Sequence, residues 1–185
     1  EIFSLEESIK LFNLEGVGKS PSKLDMDRIL SINETYMKNS DRKKIFENFC
    51  DYTKKFKDPI DKEFLKKIED NFLVFLNKAK TLENIYENAK FIFNYKKIEF
   101  SDLISENEKK IIQLFLQKID KVSDSNVEKI KAIIDEIIVE EKIKFKDFGQ
   151  PIRIVLTGTK FAPSITDIIQ SLGIDEVKRR ISLYL

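Results

Sequence analysis

The sequence predicts an all-α protein in which short helices at the start lead into two small helical units in series. Three observations carry that expectation. From about residue 40 to 143 there is no glycine and a single proline, Pro59, so long helices can run without a breaker. Apolar residues recur at spacings of three and four through most of the chain, the stripe that a helix turns toward a core. Helix-start signals recur as well, most clearly where Ser4 precedes Glu7 and Ser105 precedes Glu108 by three residues, the spacing of a capping box.

The elements follow in order. Ser4 and Glu7 open a short helix whose stripe holds Ile9 and Phe12. The stretch NLEGVGKSPSKLD, with Gly16, Gly18 and Pro21, reads as a loop, and Asp25 caps a helix bearing Met26, Ile29, Leu30, Ile32, Tyr36 and Met37. Ile45, Phe46, Phe49, Tyr52 and Phe56 form one stripe, and Phe64, Leu65, Ile68, Phe72, Phe75 and Leu76 the next. Thr81 caps a helix with Leu82, Ile85, Tyr86, Ala89 and Phe93 inward. After NYKKIEFSD, the capping box at Ser105 starts a helix over Ile111 to Ile119, and Ser125 or Asn126 starts one bearing Ile130, Ile134 and Ile137. Ile137-Ile138-Val139 has β propensity, but the helical spacing extends over several turns and outweighs it. These shifts divide the chain into units at 1–38, 39–97 and 98–185.

Composition narrows the chemistry. Charged residues make up 35% and hydrophobic ones 42%, which suits a globular chain with its own core. No apolar run reaches the roughly 18 residues of a membrane span, and no export signal is evident, so a cytoplasmic location is the expectation. Cys50 is the sole cysteine and histidine is absent, which removes disulfides, the usual zinc sets and imidazole-assisted nucleophiles. The net charge is only +1, yet Lys142, Lys144, Lys146, Arg153 and Lys160 face a single acid, Asp147, and Lys178-Arg179-Arg180 follows. A local basic field within a neutral chain suits a polyanion.

The segment GQPIRIVLTGTKFAPS raises the question of a phosphate loop. Such a loop needs several glycines before its lysine and hydroxyl, and here Gly149 lies nine residues before Gly158. The spacing is wrong. Read as helices, Pro151 sits in a first turn with Ile152, Val155 and Leu156 inward, and Gly158 takes a left-handed stop. Pro163 and Ser164 start the next helix, Gly173 ends it, and Asp175 starts the last. Arg153 then points outward beside a loop whose backbone N–H groups and an apolar platform, Phe161 or Pro163, suit unstacked nucleotides.

GQPIRIVLTGTKFAPSITDIIQSLG, followed by VKRRI, resembles the C-terminal signature of bacterial glutamyl-tRNA synthetases, in which a G/A-Q-P-L-R-x-x-L-T-G segment leads through a proline turn into a helix ending in L-G. The opening FSLEESIKLFNLEGVGKSPSKLDMDRILSINETYM is similar to the stretch of the same family just beyond its catalytic domain, and the two matches cover about a third of the chain. The resemblance implies the end of a stem-contact domain followed by two anticodon-binding subdomains, within a class I aminoacyl-tRNA synthetase. It implies a tRNA partner, for glutamate with glutamine tRNA as a second candidate, a monomer, and ATP and Mg²⁺ as cofactors of the parent enzyme. The H-I-G-H-like and K-M-S-K-S-like signatures are absent here, so this fragment is expected to bind tRNA without catalysing ligation.

The same resemblance carries roles to single positions. Lys19, Ser20 and Lys23 match a segment near the inner corner of tRNA, where hydroxyl and ammonium groups suit phosphates. Asp25, Asn33 and Tyr36 match structural positions of the linking helix. Arg153 matches an arginine near the anticodon bases, and Gly158, Phe161, Pro163 and Ile165 belong to the turn on which a base rests. NKAKTL stands where the family has R-x-x-T-L, which puts Lys78, with Lys80 beside it, in place of a base-reading arginine; lysine lacks the planar fork. The alternative reading is a non-catalytic helical protein-interaction domain, suggested by the near-zero net charge and abundant Phe and Ile.

Overall fold

The computed structural model describes residues 2–18, 23–95, 104–122, 126–160 and 162–185, and among them it contains eleven α-helices and no strand. In chain order these are α1 (Leu5–Leu11), α2 (Met26–Asn39), α3 (Arg42–Phe56), α4 (Lys62–Asp70), α5 (Phe72–Leu76) and α6 (Leu82–Phe93). There follow α7 (Glu106–Ile119), α8 (Val127–Glu140), α9 (Phe145–Thr157), α10 (Ile165–Leu172) and α11 (Ile174–Ser182). Most begin where a side-chain oxygen takes up one of the free N–H groups of a first turn. Ser4, Asp25, Thr81, Ser105 and Asn126 all do so, and the boxes at Ser4–Glu7 and Ser105–Glu108 are closed in both directions. Asp41 caps α3 in the same way.

Three predicted boundaries move, each for a local reason. The stripe from Phe64 to Leu76 is split at Asn71, whose side-chain amide donates to the Lys67 carbonyl at 2.9 Å and competes with the helix's own ladder. The helix expected to begin near Pro151 begins at Phe145, so the proline lies inside α9. An interior proline costs about 3 kcal/mol through its missing N–H and the crowding of the carbonyl four residues back. Against that, α9 buries Phe148, Ile152, Val155 and Leu156, and a fully buried side chain of this size contributes about 1.5–3 kcal/mol. Burial prevails. Finally, α11 starts one residue before Asp175, directly from Gly173, whose φ of 81° lets α10 end and α11 begin without a linker.

The helices pack in two groups. In the first, α3, α4 and α5 all lie against α6, and Phe49, Phe72, Phe75 and Ile85 fill the space between them. Phe46 meets Phe72 edge-on at 5.2 Å, the arrangement that the ring quadrupoles favour. Phe56, at the end of the α3 stripe, stays exposed. In the second group α7 is the hub for α8, α9 and α11, and α10 closes over α8, α9 and α11. Phe115 and Phe148 meet edge-on at 5.2 Å in its centre. Contact between α4 and α10 links the groups into one continuous core.

The first helices contribute little to that core. α1 buries no residue and α2 only Met37. Two hydrogen bonds hold them: the Tyr36 hydroxyl donates to the Phe3 carbonyl, and Asn33 Nδ2 donates to the Lys80 carbonyl at 2.6 Å. With Asp25 as a cap, these three residues have the structural roles expected of them.

Replacing Phe148 with alanine should lower the unfolding free energy by about 3–5 kcal/mol, because it empties the centre of the second group. Urea unfolding followed by circular dichroism checks this, and a loss under about 1 kcal/mol would remove the ring from the core.

Candidate nucleic-acid interface

A sharp corner forms where α9 hands over to α10. Gly158 ends α9 with φ 76° and ψ 8°, and its N–H donates to the Ile154 carbonyl at 2.8 Å. A residue with a β-carbon is strained at that φ, so the glycine sets where the chain turns. Ser164 caps α10 by accepting from the Asp167 N–H at 3.2 Å. Between them Arg153 Nε donates to the Pro163 carbonyl at 3.2 Å, tying the last turns of α9 to the start of α10. Among the described residues no partner takes the terminal nitrogens of this guanidinium. One N–H is used for positioning and the rest of the fork stays available.

Gly149 makes room for this arrangement. A β-carbon placed on it would stand 3.2 Å from Ile165 Cδ1, 3.5 Å from Phe145 Cε1 and 3.6 Å from Arg153 Nη1. The bare backbone lets the three side chains converge on one face of α9. Pro163 is buried and Ile165 is only 1% exposed, so both support the turn from within. Buried side chains offer no face to a base in this conformation, so Pro163 is not the platform; Phe161, the other one expected, lies outside the described residues, and the Phe145 ring, 52% exposed, is a surface aromatic beside the corner. Sequence reasoning missed Phe145. Its signal is the aromatic between two lysines in Lys144-Phe145-Lys146.

Two depressions flank the corner. One, of about 130 Å³, lies toward α8 and is lined by Lys131, Asp135, Phe145, Ser164 and Thr166. The other, of about 440 Å³, lies toward the end of α6 and is lined by Lys90, Asn94, Thr157, Gly158 and Thr159. Lys142, Lys144, Lys146 and Lys160 are exposed nearby and form no ion pair among the described residues. The second basic cluster behaves differently. Lys178 donates to the Asp120 and Val122 carbonyls at 3.2 and 3.1 Å, Arg179 is paired with Glu176 at 2.7 Å, and Arg180 is only 2% exposed. It is spent within the fold, because each cation has an internal acceptor.

The corner thus gathers Arg153, Gly158, Pro163 and Ile165. Lys78 and Lys80 are exposed but sit before the other end of α6, a helix length of about 18 Å from the Asn94 side of the corner. Lys80 N–H donates to Asn84 Oδ1 at 3.1 Å, which leaves its ammonium in solvent. Lys23 is exposed just ahead of α2. Lys19, Ser20 and Phe161 lie outside the described residues, as does Ser125. Among the described residues no cluster of acids or cysteine could hold a metal ion, and no helix is long and apolar enough to cross a membrane.

A family model for the anticodon binding domain matches residues 44–185. The chain belongs to the anticodon-binding-domain family. A glutamate–tRNA ligase of Pelagibacter ubique is 47% identical over 184 residues, covering 98% of this chain and 40% of the relative. One from Wigglesworthia glossinidia brevipalpis is 36% identical over 181 residues and is covered to 37%. The anticodon-binding chain therefore spans about 40% of the length of the curated relatives it matches. A crystal structure of a glutamate tRNA ligase from Elizabethkingia meningosepticum shares the fold, with a TM-score of 0.75 at 22% identity, over 98% of this chain and 36% of that one.

Behind the corner the anticodon-binding chain holds a buried cation that sequence reading assigned to the surface. Arg180 Nε pairs with Glu176 Oε1 at 2.7 Å, Nη1 donates to the Leu156 carbonyl at 2.6 Å, and the guanidinium lies 3.9 Å from the centre of the Tyr95 ring. Burial works against the Arg180 charge and Glu176 supports it. The hydrogen bonds from Arg179 and Arg180 hold the Glu176 carboxyl down to about 2. A carboxylate with a depressed folded pKa stabilises the fold above its ordinary value and loses that contribution as pH falls toward the depressed one. Stability should therefore decline from about pH 4.5 to about pH 2 through this group. Glu176→Gln should flatten that part of a pH–stability curve, and an unchanged slope would assign the acid sensitivity to other carboxylates.

Proposed function

We propose that this chain is the tRNA-binding, anticodon-reading part of a glutamate–tRNA ligase, the enzyme that joins glutamate to its tRNA with ATP. The observation that carries the reading is the corner itself, where a half-buried guanidinium tied by one N–H to the Pro163 carbonyl keeps its terminal nitrogens without a partner among the described residues. Unpaired bases are recognised by such planar donors and by aromatic faces, and the exposed lysines around Phe145 supply phosphate contacts. The likeness to glutamate–tRNA ligases along 98% of the chain supports the same assignment.

Glutamate activation, with ATP and Mg²⁺, then belongs to the part of such an enzyme with which these residues do not align. Glutamate tRNA is the partner, and glutamine tRNA is a second candidate because Lys78 and Lys80 lack the fork of an arginine. A cytoplasmic, monomeric enzyme is consistent with that role. The apolar side chains that α1 and its surroundings leave exposed, among them Leu5, Ile9, Phe12 and Leu14, are the surface that the remainder of the ligase would cover. The same exposed residues are what favours the second reading, a helical protein-interaction domain.

Titrating the chain with tRNAs that differ only in the anticodon separates the two. Preference among them supports anticodon reading, and no tRNA-dependent signal at low salt would leave the interaction domain. Arg153→Ala should weaken an anticodon hairpin by about 1–3 kcal/mol with unchanged helicity. Replacing Lys78 and Lys80 with alanine should reduce the salt slope by about 0.7 for each phosphate that is no longer neutralised. Equal binding by the Arg153 variant would remove that residue from the site.

A further inference from the structure

The last turn of a helix leaves carbonyls without partners inside the helix. In α9 those carbonyls stand immediately before the Gly158 turn. The Ile154 carbonyl is taken by the Gly158 N–H, and the Thr157 hydroxyl turns back to the Arg153 carbonyl at 2.8 Å. The next two are served from outside. Tyr95, two residues beyond α6, donates its hydroxyl to the Val155 carbonyl at 2.8 Å. Arg180, from α11, donates Nη1 to the Leu156 carbonyl at 2.6 Å. The two donors also hold each other, since the guanidinium lies over the Tyr95 ring. The Tyr184 hydroxyl stands 3.0 Å from that of Tyr95 and closes the cluster.

The consequence is geometric. Leu156 and Val155 lie one and two peptides short of Thr157, and Arg153 is in the same turn. A clamp on these carbonyls fixes the direction in which Arg153 leaves α9 and the point at which the loop to Pro163 departs. One donor comes from the segment after the middle helical group and the other from the last helix, so the clamp also sets the corner relative to α6. The depression of about 440 Å³ lies between the two parts that the clamp joins, α6 and the Gly158 turn.

We propose that Tyr95 and Arg180 are positioning residues for anticodon recognition, acting through the last-turn carbonyls of α9 to fix Arg153 and the Gly158 corner, and that they govern discrimination between bases more than overall tRNA affinity. The proposal rests on the anticodon-reading assignment. In this reading both residues act through α9 and not through contacts of their own with the RNA. Positive charge on Arg180 is also favourably placed at the negative end of the α9 dipole, which makes the contact stronger than a neutral donor would.

The test uses the 185-residue chain, a cognate anticodon hairpin and three hairpins each with one anticodon base replaced. Tyr95→Phe keeps the ring over Arg180 and removes the donor to Val155 together with the hydroxyl that Tyr184 meets. Cognate affinity should fall about fivefold, the loss of one hydrogen bond's worth of ordering, while the substituted hairpins change less than about twofold. Discrimination shrinks and the salt slope stays. Arg180→Lys retains charge but not the fork, and should shift the ratio in the same direction; Arg180→Met serves as a control for folding through its melting temperature. An equal loss for all four hairpins would mean general destabilisation and overturn the proposal, as would an unchanged ratio in Tyr95→Phe. If the parent chain does not distinguish the hairpins at all, the anticodon-reading assignment fails first, and the Tyr95 and Arg180 roles fall with it.

Discussion

A buried guanidinium under the C-terminus of α9 is the interaction on which the corner between α9 and α10 depends. Removing a cation from water is costly unless its charge and donors are met, and Arg180 has a carboxylate at Nε, a carbonyl at Nη1 and an aromatic face beside it. Each of these partners belongs to a different part of the chain: Glu176 one turn earlier in α11, Leu156 at the end of α9, Tyr95 after α6. The cluster therefore does in the last helical group what the phenylalanines do in the first. It joins elements that have no sequence proximity. Hydrophobic packing alone would allow α9 to slide or fray at its end; directional donors on two successive carbonyls do not.

How much of this was legible beforehand follows from the range of the interactions involved. Caps are decided within three or four residues, so Ser4, Asp25, Thr81, Ser105 and Asn126 could be read as helix starts, and Gly158 and Gly173 as stops. Pro151 misled because the local rule places proline in a first turn, while burial of the side chains around it carried α9 nearly two turns further back. Asn71 shows the converse, a polar residue inside an apolar stripe whose bond to Lys67 broke the helix that periodicity alone would continue.

The site divides along the same line. Arg153 and the Pro163 turn belong to one short segment, and their meeting was expected from it. The roles of Lys178, Arg179 and Arg180 were not, because a run of cations carries no mark of the acceptors that await it in three dimensions. Phe145 went unread because the helix was expected to begin near Pro151, and only the earlier start of α9 sets its exposed ring beside the corner. The chain's likeness to glutamate–tRNA ligases names the segment but leaves such orientations to the fold.

The hydrogen bond from Asn33 to the Lys80 carbonyl has a mechanical meaning of its own. It ties the Lys80 carbonyl to α2, while the Lys80 N–H is held by Asn84 of α6 and the ammonium remains in solvent, so this residue joins the two helices. α2 buries only Met37 and so rests lightly on the scaffold. A tilt of that helix would pull on the stretch just before α6, which Ala79 and the bond to Asn84 anchor in the core, and leave the turn at the opposite extremity in place. The light seat of α2 is thus fixed to the rigid part of the molecule through one backbone carbonyl.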